Sequence, residues 1–417
     1  MKIIVSILLV ISFLFANDAT IDVVKKADNL PSIAVEDSSV SYDQAFKDRF
    51  FKSIVADLNV LAIFNVDGSY RTVSYDAGSV VVANKDMKYV LRYKLTEGDS
   101  GAFNVDIKLI SGGSTVFSKN YSVNNSNIYM FVSHSIAYDI NKFMGEAPIE
   151  WIKRKVIFSR MTSPQKSELV VSDYTLTYQH VIVKGGFNIF PKWANNEQTA
   201  FYYSALDEKK PTLKYLDIRT GKGQVIKSSD GMMICSDVSE DGSKLLLTMA
   251  PKGQPDIYLY DVNTRKEKPL TNYGGIDVGG QFMGKDKVVF VSDRLGYPNI
   301  FSTNISNSNN VEQMVHYGKS NAACSVQGDY IVYKARESSE SFGNNTFNLH
   351  LVSTKTDFIR RLTAVGVNEF PRFSVDGDAI IFIKSYESQS SIGIIRLNHN
   401  KNFLFPLKYG KVQSLDW

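Results

Sequence analysis

The chain is 417 residues long, beyond the size at which one hydrophobic core usually keeps growing, so length alone excludes a single small domain. Apolar residues make up 44% of it and charged residues 22%, a globular balance that fits neither wholesale disorder nor a polytopic membrane protein. Lys and Arg number 47 against 43 Asp and Glu, and no basic run marks a stripe for nucleic acid or anionic lipid, so no polyanionic partner is expected. With 25 Phe, 22 Tyr and only 11 Pro, the composition favours strands.

Met1-Lys2, an apolar run from Ile3 to Phe15 and the small Ala16 before Asn17-Asp18 have the layout of a secretory signal peptide. As a helix the run spans about 20 Å, short of the ~30 Å hydrocarbon core. Residues 1–16 are therefore expected to be cleaved, leaving an exported chain with no direct membrane insertion. Residues 17–40 are polar with two small apolar patches, Ile21-Asp22-Val23-Val24 and Ile33-Ala34-Val35, and are read as a partly flexible N-terminal segment. The second patch is a candidate strand.

Residues 41–148 read as an α/β domain. Phe46, Phe50, Ile54 and Leu58 recur every four residues, which predicts an amphipathic helix, and Ser41 with Gln44 suggests a capping box. Short alternating segments follow at Ser79–Ala83, Tyr89–Leu95, Val105–Ile110 and Val116–Val123, the last two joined through Gly112-Gly113. They predict a small sheet with a hairpin. A second helix carries Tyr129, Val132, Ile136, Ile140 and Phe143 on one stripe and stops at Gly145 and Pro148.

From residue 151 onward the chain repeats. Trp193, Val238, Phe282, Ser325, Phe373 and Trp417 stand 43 to 48 residues apart, most followed by a turn such as Asp241-Gly242 or Asp376-Gly377 and then an apolar strand. Four strands per repeat is the signature of a propeller blade, and residues 151–417 hold about six repeats. The first repeat lacks a first strand and Gln413–Trp417 is a first strand with nothing after it, so the C-terminal strand is expected to complete the first blade. The fold class is thus multidomain α/β plus all-β: a small N-terminal α/β domain followed by a six-bladed β-propeller closed by the C-terminal strand.

No Gly-x-Ser-x-Gly elbow occurs. Asp173, Asp217 and Asp261 follow third strands and read as repeated turn formers rather than an acid/base pair. His134 falls off its helix's apolar stripe and reads as a surface residue. The other four His are scattered, and neither Cys235 nor Cys324 has a partner at zinc-ligand spacing. Those two cysteines fall two blades apart, too far for a disulfide. No catalytic, metal or cofactor site is expected. The competing reading is a periplasmic propeller enzyme or lectin-like protein that binds its ligand in the central channel.

Pro371-Arg372-Phe373-Ser374-Val375-Asp376-Gly377, the run Val291–Ile300, Val171-Ser172-Asp173-Tyr174 and the ending Val412–Trp417, in this domain order behind a signal peptide, resemble the TolB family of periplasmic Tol-Pal components. The resemblance implies a non-enzymatic adaptor supporting outer-membrane integrity and cell division. It also implies partners: the peptidoglycan-associated lipoprotein Pal on one propeller face, TolA on the mature N-terminal segment, and other outer-membrane or lipoprotein components. Strand alternation puts the loops from fourth to first strands on the same face as those from second to third. On that face the candidate contacts are Asp230, Met232, Met233, Asp277, Arg294, Asn321, Arg336, Asn368 and Glu369. The alternating Thr20, Ile21, Asp22, Val23 and Val24 are suited to adding as a strand to a partner's sheet edge.

Overall fold

The computed structural model describes residues 30–78, 87–206, 208–338, 345–387 and 389–417. The expected signal peptide, Thr20–Val24 and the strand expected at Ser79–Ala83 lie outside the described residues.

The N-terminal unit is a five-stranded sheet with two helices. In chain order these are β1 (Ser32–Asp37), α1 (Gln44–Leu61), β2 (Asn65–Asp67), β3 (Tyr89–Glu97), β4 (Phe103–Ser111), β5 (Ser114–Val123) and α2 (Tyr129–Phe143). The sheet order is β2-β1-β3-β4-β5. β1 runs parallel to both its neighbours, and β3, β4 and β5 alternate. Hence β1, drawn from the segment read as partly flexible, lies inside the sheet. Its Glu36 forms a fully buried ion pair with Arg92 of β3 at 2.8 Å. Phe103, Val105, Ile107 and Leu109 alternate inward along β4, as a half-buried strand requires. Gly112 and Gly113, with φ of 58° and 80°, make the tight turn to β5 that side chains with a Cβ resist.

α1 forms where its four-residue period falls, and Phe46, Phe50, Ile54 and Leu58 are buried. Its cap differs from expectation. Asp43 Oδ2 accepts from the Phe46 N–H at 2.7 Å, while the Gln44 amide donates to Asp48 at 2.7 Å. A carboxylate closer to the first turn displaces Ser41, because charge adds to the capping bond at the positive helix end.

Residues 151–417 form a strand-rich, propeller-like domain. Four-stranded antiparallel sheets are built from Asn188–Trp193 to Gly223–Ser228, from Met233–Val238 to Glu267–Pro269, and from Asp277–Met283 to Val311–Gln313. Two further groups of four, starting at Asn321–Gln327 and Val367–Phe373, are joined by a single parallel pair, Phe347 with Val367. In the remaining sheet the C-terminal strand Lys411–Asp416 pairs antiparallel with Val156–Ser163 and lies outermost in an order that continues to Gln179–Val183. Each first strand contacts the first strand of the next group, from Lys411–Asp416 through Asn188–Trp193 and round to Val367–Phe373.

The two units share one core. Ile54, Leu58 and Leu61 of α1 and Ile136 and Ile140 of α2 belong to the same buried cluster as Trp151, Tyr174, Ile381, Ile394 and Trp417. Among the described residues no helix is long and apolar enough to cross a membrane.

Cys235 and Cys324 are both free and buried. Burial pushes both thiols up, that of Cys324 to about 12. The folded protein is accordingly expected to resist thiol reagents at pH 8, and the denatured, unreduced protein to titrate two thiols. A count of zero contradicts the placement of these strands.

Candidate docking face and domain junction

Two regions of the propeller-like domain carry concentrated chemistry, and they lie at opposite ends of its strands. The first is the end formed by the fourth-to-first and second-to-third loops. Met232, Ile276, Leu295, Tyr317, Val365, Tyr386 and Tyr409 all sit in or beside these loops, and each is at least 40% exposed. The other exposed large apolar side chains described in this domain, Val225, Tyr330, Val375 and Leu404, scatter over outer strands and the opposite turns. Large apolar groups gathered on one loop surface are costly to leave in water and mark a binding surface more often than a solvated one.

The nine candidate contacts divide. Met232 is exposed at the mouth of the central cavity. Asp230 is exposed and paired with Lys210. Glu369 is partly exposed and meets Lys334 Nζ at 2.8 Å, and Arg336 is exposed. Met233, Asp277, Asn321 and Asn368, by contrast, have no accessible surface. Arg294 is held from below: its Nη2 lies 2.9 Å from Asp277 Oδ2 and its guanidinium stacks 4.9 Å from the Tyr273 ring. Burial raises the Asp277 carboxyl even though Ser292 and Arg294 pull against it. Asn321 Nδ2 donates to Asn299 Oδ1 and the Tyr317 carbonyl, and Asn368 Nδ2 to the carbonyls of Phe347 and Val365. These five residues shape the loops from beneath. The aromatic rim at Tyr317, Tyr386 and Tyr409 was absent from the sequence reading. Strand pattern alone does not reveal them, because a tyrosine at a strand end reads as a core residue until the backbone places it.

The second region is the junction with the N-terminal unit, at the other ends of the strands. Expected at the surface, His134 of α2 is instead fully buried. Its Nδ1 lies 2.9 Å from Asp57 Oδ2 of α1 and its Nε2 3.3 Å from Asp173 Oδ2 of the propeller-like domain. Ser133 Oγ and Tyr174 Oη also donate to Asp57. Burial pulls the imidazole down, but the Asp57 charge and the bonds to both carboxylates outweigh it and raise His134 to about 9. Asp173 does form the expected turn, accepting from the N–H groups of Thr175 and Tyr178, as Asp217 does from Thr220 and Asp261 from Thr264. Unlike those two, it also reaches across the junction. Burial works against its charge, yet His134 and the turn hydrogen bonds hold its carboxyl below the usual range. Nearby, Arg396 donates to the Val60 and Leu61 carbonyls at the end of α1 and pairs with Asp378, which also accepts from Trp151 Nε1 at 3.0 Å. Sequence reasoning missed this node because its members come from different elements and its contacts across the junction join residues 39 to 336 positions apart.

Residues 151–417 match the family model described as the TolB beta propeller domain. The whole chain is 48% identical over 423 residues to the Tol-Pal system protein TolB of Wolinella succinogenes, covering all of both chains. It is also 48% identical over 421 residues to the protein of that name from Campylobacter jejuni, again covering all of both. The crystal structure of TolB from Acinetobacter baumannii shares the fold with a TM-score of 0.74, at 20% identity over 93% of this chain and 97% of that one. With a family model on its larger domain and full-length relatives at this identity, the chain belongs to the TolB family of Tol-Pal system proteins.

Proposed function

We propose that the protein is a non-enzymatic periplasmic adaptor, exported and cleaved after Ala16, that links other Tol-Pal components in support of outer-membrane integrity and cell division. In this reading residues 30–148 form one domain, and the sheets of 151–417 are six blades of a propeller closed by Lys411–Asp416. The propeller face bearing Met232, Tyr317, Tyr386 and Tyr409 docks the peptidoglycan-associated lipoprotein Pal. The mature N-terminal segment around Thr20–Val24, with its alternating pattern, takes TolA by strand addition.

The observation that carries the reading is the gathering of exposed apolar side chains on one loop face, with charged groups such as Asp230 and Arg336 beside them, the composition of an interface core with a polar rim. The junction occupies the opposite end, so docking on the face leaves the N-terminal unit accessible.

Met232→Asp with Tyr386→Asp places two charges where an apolar contact is proposed. Calorimetry with purified Pal is expected to show affinity falling by about a hundredfold or more, since central apolar contacts commonly carry over 2 kcal/mol. TolA binding should stay intact. Deleting Ala19–Lys26 should do the reverse. Loss of both affinities from either change, in a protein that still melts normally, means that the two sites are wrongly assigned.

A further inference from the structure

At the centre of the docking face the first strands leave a cavity of about 250 Å³, walled by Phe190, Met232, Ile234, Val278 and Phe370. Lys192 and Arg372 line it two residues further along their strands than Phe190 and Phe370. Lys192 also lines a smaller cavity at the other end of the domain, beside Trp193 and Trp417. It therefore stands as a crossbar between the two.

Two features of this cavity bear on what it can hold. Phe190 and Phe370 adopt left-handed backbone conformations, with φ of 53° and 50°, and their rings lie 5.9 Å apart. The same bulge recurs at Gly279 and Ala323, with φ of 68° and 47°, so it is a repeated device of these first strands, and at two of the four positions it sets a phenyl ring at the cavity wall. The second feature is the charge pattern. Lys192 is matched, lying 3.0 Å from Asp416 and 3.2 Å from Asp237. Those carboxylates are further occupied by the Trp193 and Phe282 N–H groups, each at 2.9 Å. Arg372 is not matched. One of its Nη atoms donates to the carbonyls of Cys324 and Pro371 at 3.2 and 3.4 Å. Its Nε is buried with no hydrogen-bond partner among the described residues. Cys235 and Cys324, also lining the cavity, are held as neutral thiols by burial and supply no counter-charge.

An apolar throat that ends at a guanidinium with spare donors selects one chemistry. We propose that the cavity receives a carboxylate on a short apolar stem, an acidic side chain presented by the partner docked on this face, which pairs with Arg372 between the Phe190 and Phe370 rings. This rests on the docking reading above and adds to it the group that enters. An ammonium meets the unmatched Arg372 with repulsion, and a long polar chain finds no room.

The test uses the mature full chain without any protein partner. Phenylacetate, its neutral isostere phenylacetamide and phenethylamine are titrated and followed by ligand-observed NMR. Phenylacetate is expected to bind in the millimolar range, about tenfold tighter than the amide, as a charge-assisted hydrogen bond gives, and the amine not at all. Arg372→Gln should bring phenylacetate down to the amide's level, while Arg372→Lys keeps part of the preference. Arg265→Gln, in an exposed turn at the far end of the strands, should leave it unchanged. Unaltered thermal unfolding of Arg372→Gln establishes that it folds. Should that variant unfold, a retained preference in Arg372→Lys with its loss in Phe370→Asp serves in its place. Equal binding of acid and amide, no binding of any probe, or a preference that survives Arg372→Gln overturns the proposal. None of these outcomes touches the docking reading, which fails only if Pal still binds after the rim is charged.

Discussion

Removal of Lys411–Trp417 is expected to leave no soluble folded protein. The segment is seven residues long, yet it is a strand paired along Val156–Ser163. Val412, Leu415 and Trp417 are buried, and Trp417 Nε1 donates to the Phe373 carbonyl at 2.9 Å. Ser414 Oγ accepts from the Phe190 N–H and Asp416 from that of Trp193, tying two adjoining sheets. Losing the burial of three such side chains forfeits roughly 1.5–3 kcal/mol each, and the orphaned strand edge adds unpaired backbone groups and an invitation to aggregate. The total rivals the 5–15 kcal/mol that stabilises a typical folded protein. The milder Trp417→Ala isolates the packing component and should cost about 3–5 kcal/mol. Expression, gel filtration and thermal unfolding check both. A soluble truncation with unchanged melting contradicts the pairing as the account uses it.

The second large effect sits at the domain junction. His134→Gln removes a buried cation lying between Asp57 and Asp173, leaving two carboxylates at the junction without it. Breaking a buried, hydrogen-bonded ion pair from one side costs about 3–5 kcal/mol, so melting at pH 6 should fall by roughly 3–6 °C in a chain of this length. The pH dependence gives the effect a signature. The folded-state value of His134 is raised, from an ordinary 6.5 to about 9, so its contribution is fully present below pH 6.5 and is lost as pH rises through about 9. The stability gap between the wild-type protein and His134→Gln should therefore narrow across that window. Asp173 acts with the opposite sign. Its lowered value means that its contribution is present above the ordinary carboxylate range and is lost on acidification. A gap that stays constant from pH 6 to pH 10 rules out a charged imidazole at the junction. Asp57→Asn is a second probe, since the Ser133 and Tyr174 hydroxyls as well as the imidazole depend on that carboxylate.

What the amino-acid order made legible follows from period and repetition. Phe46, Phe50, Ile54 and Leu58 announced α1 because one face of it packs locally, and the recurrence from Trp193 to Trp417 announced the strand groups because every blade solves the same packing problem. His134 was misread for a physical reason. The stripe of α2 through Val132, Ile136 and Ile140 faces its own domain, but Ser133, His134, Ala137 and Asn141 are buried as well. A helix covered on two sides looks amphipathic when only one side is apolar. The polar, small second stripe at four-residue spacing was the available hint. Phe143, assigned to the stripe, is 42% exposed at the helix end. On the candidate docking face, the sequence located loops but not which side chains stand proud of them. Asp277, Asn321 and Asn368 look like surface polar residues until the backbone groups they satisfy are known, whereas Tyr317, Tyr386 and Tyr409 look like core.

Docking of Pal on the loop face bearing Met232 and Tyr386, as proposed, leaves a footprint that hydrogen exchange on the complex reads residue by residue. The prediction is slowed exchange in the loops around Met232, Ile276, Leu295, Tyr386 and Tyr409. Rates in α1, α2 and the turns at Asp241-Gly242 and Asp376-Gly377, at the far end of the strands, should be unchanged. Protection confined to those far turns or to the helices, with the Met232 and Tyr386 loops exchanging as in the free protein, would contradict it.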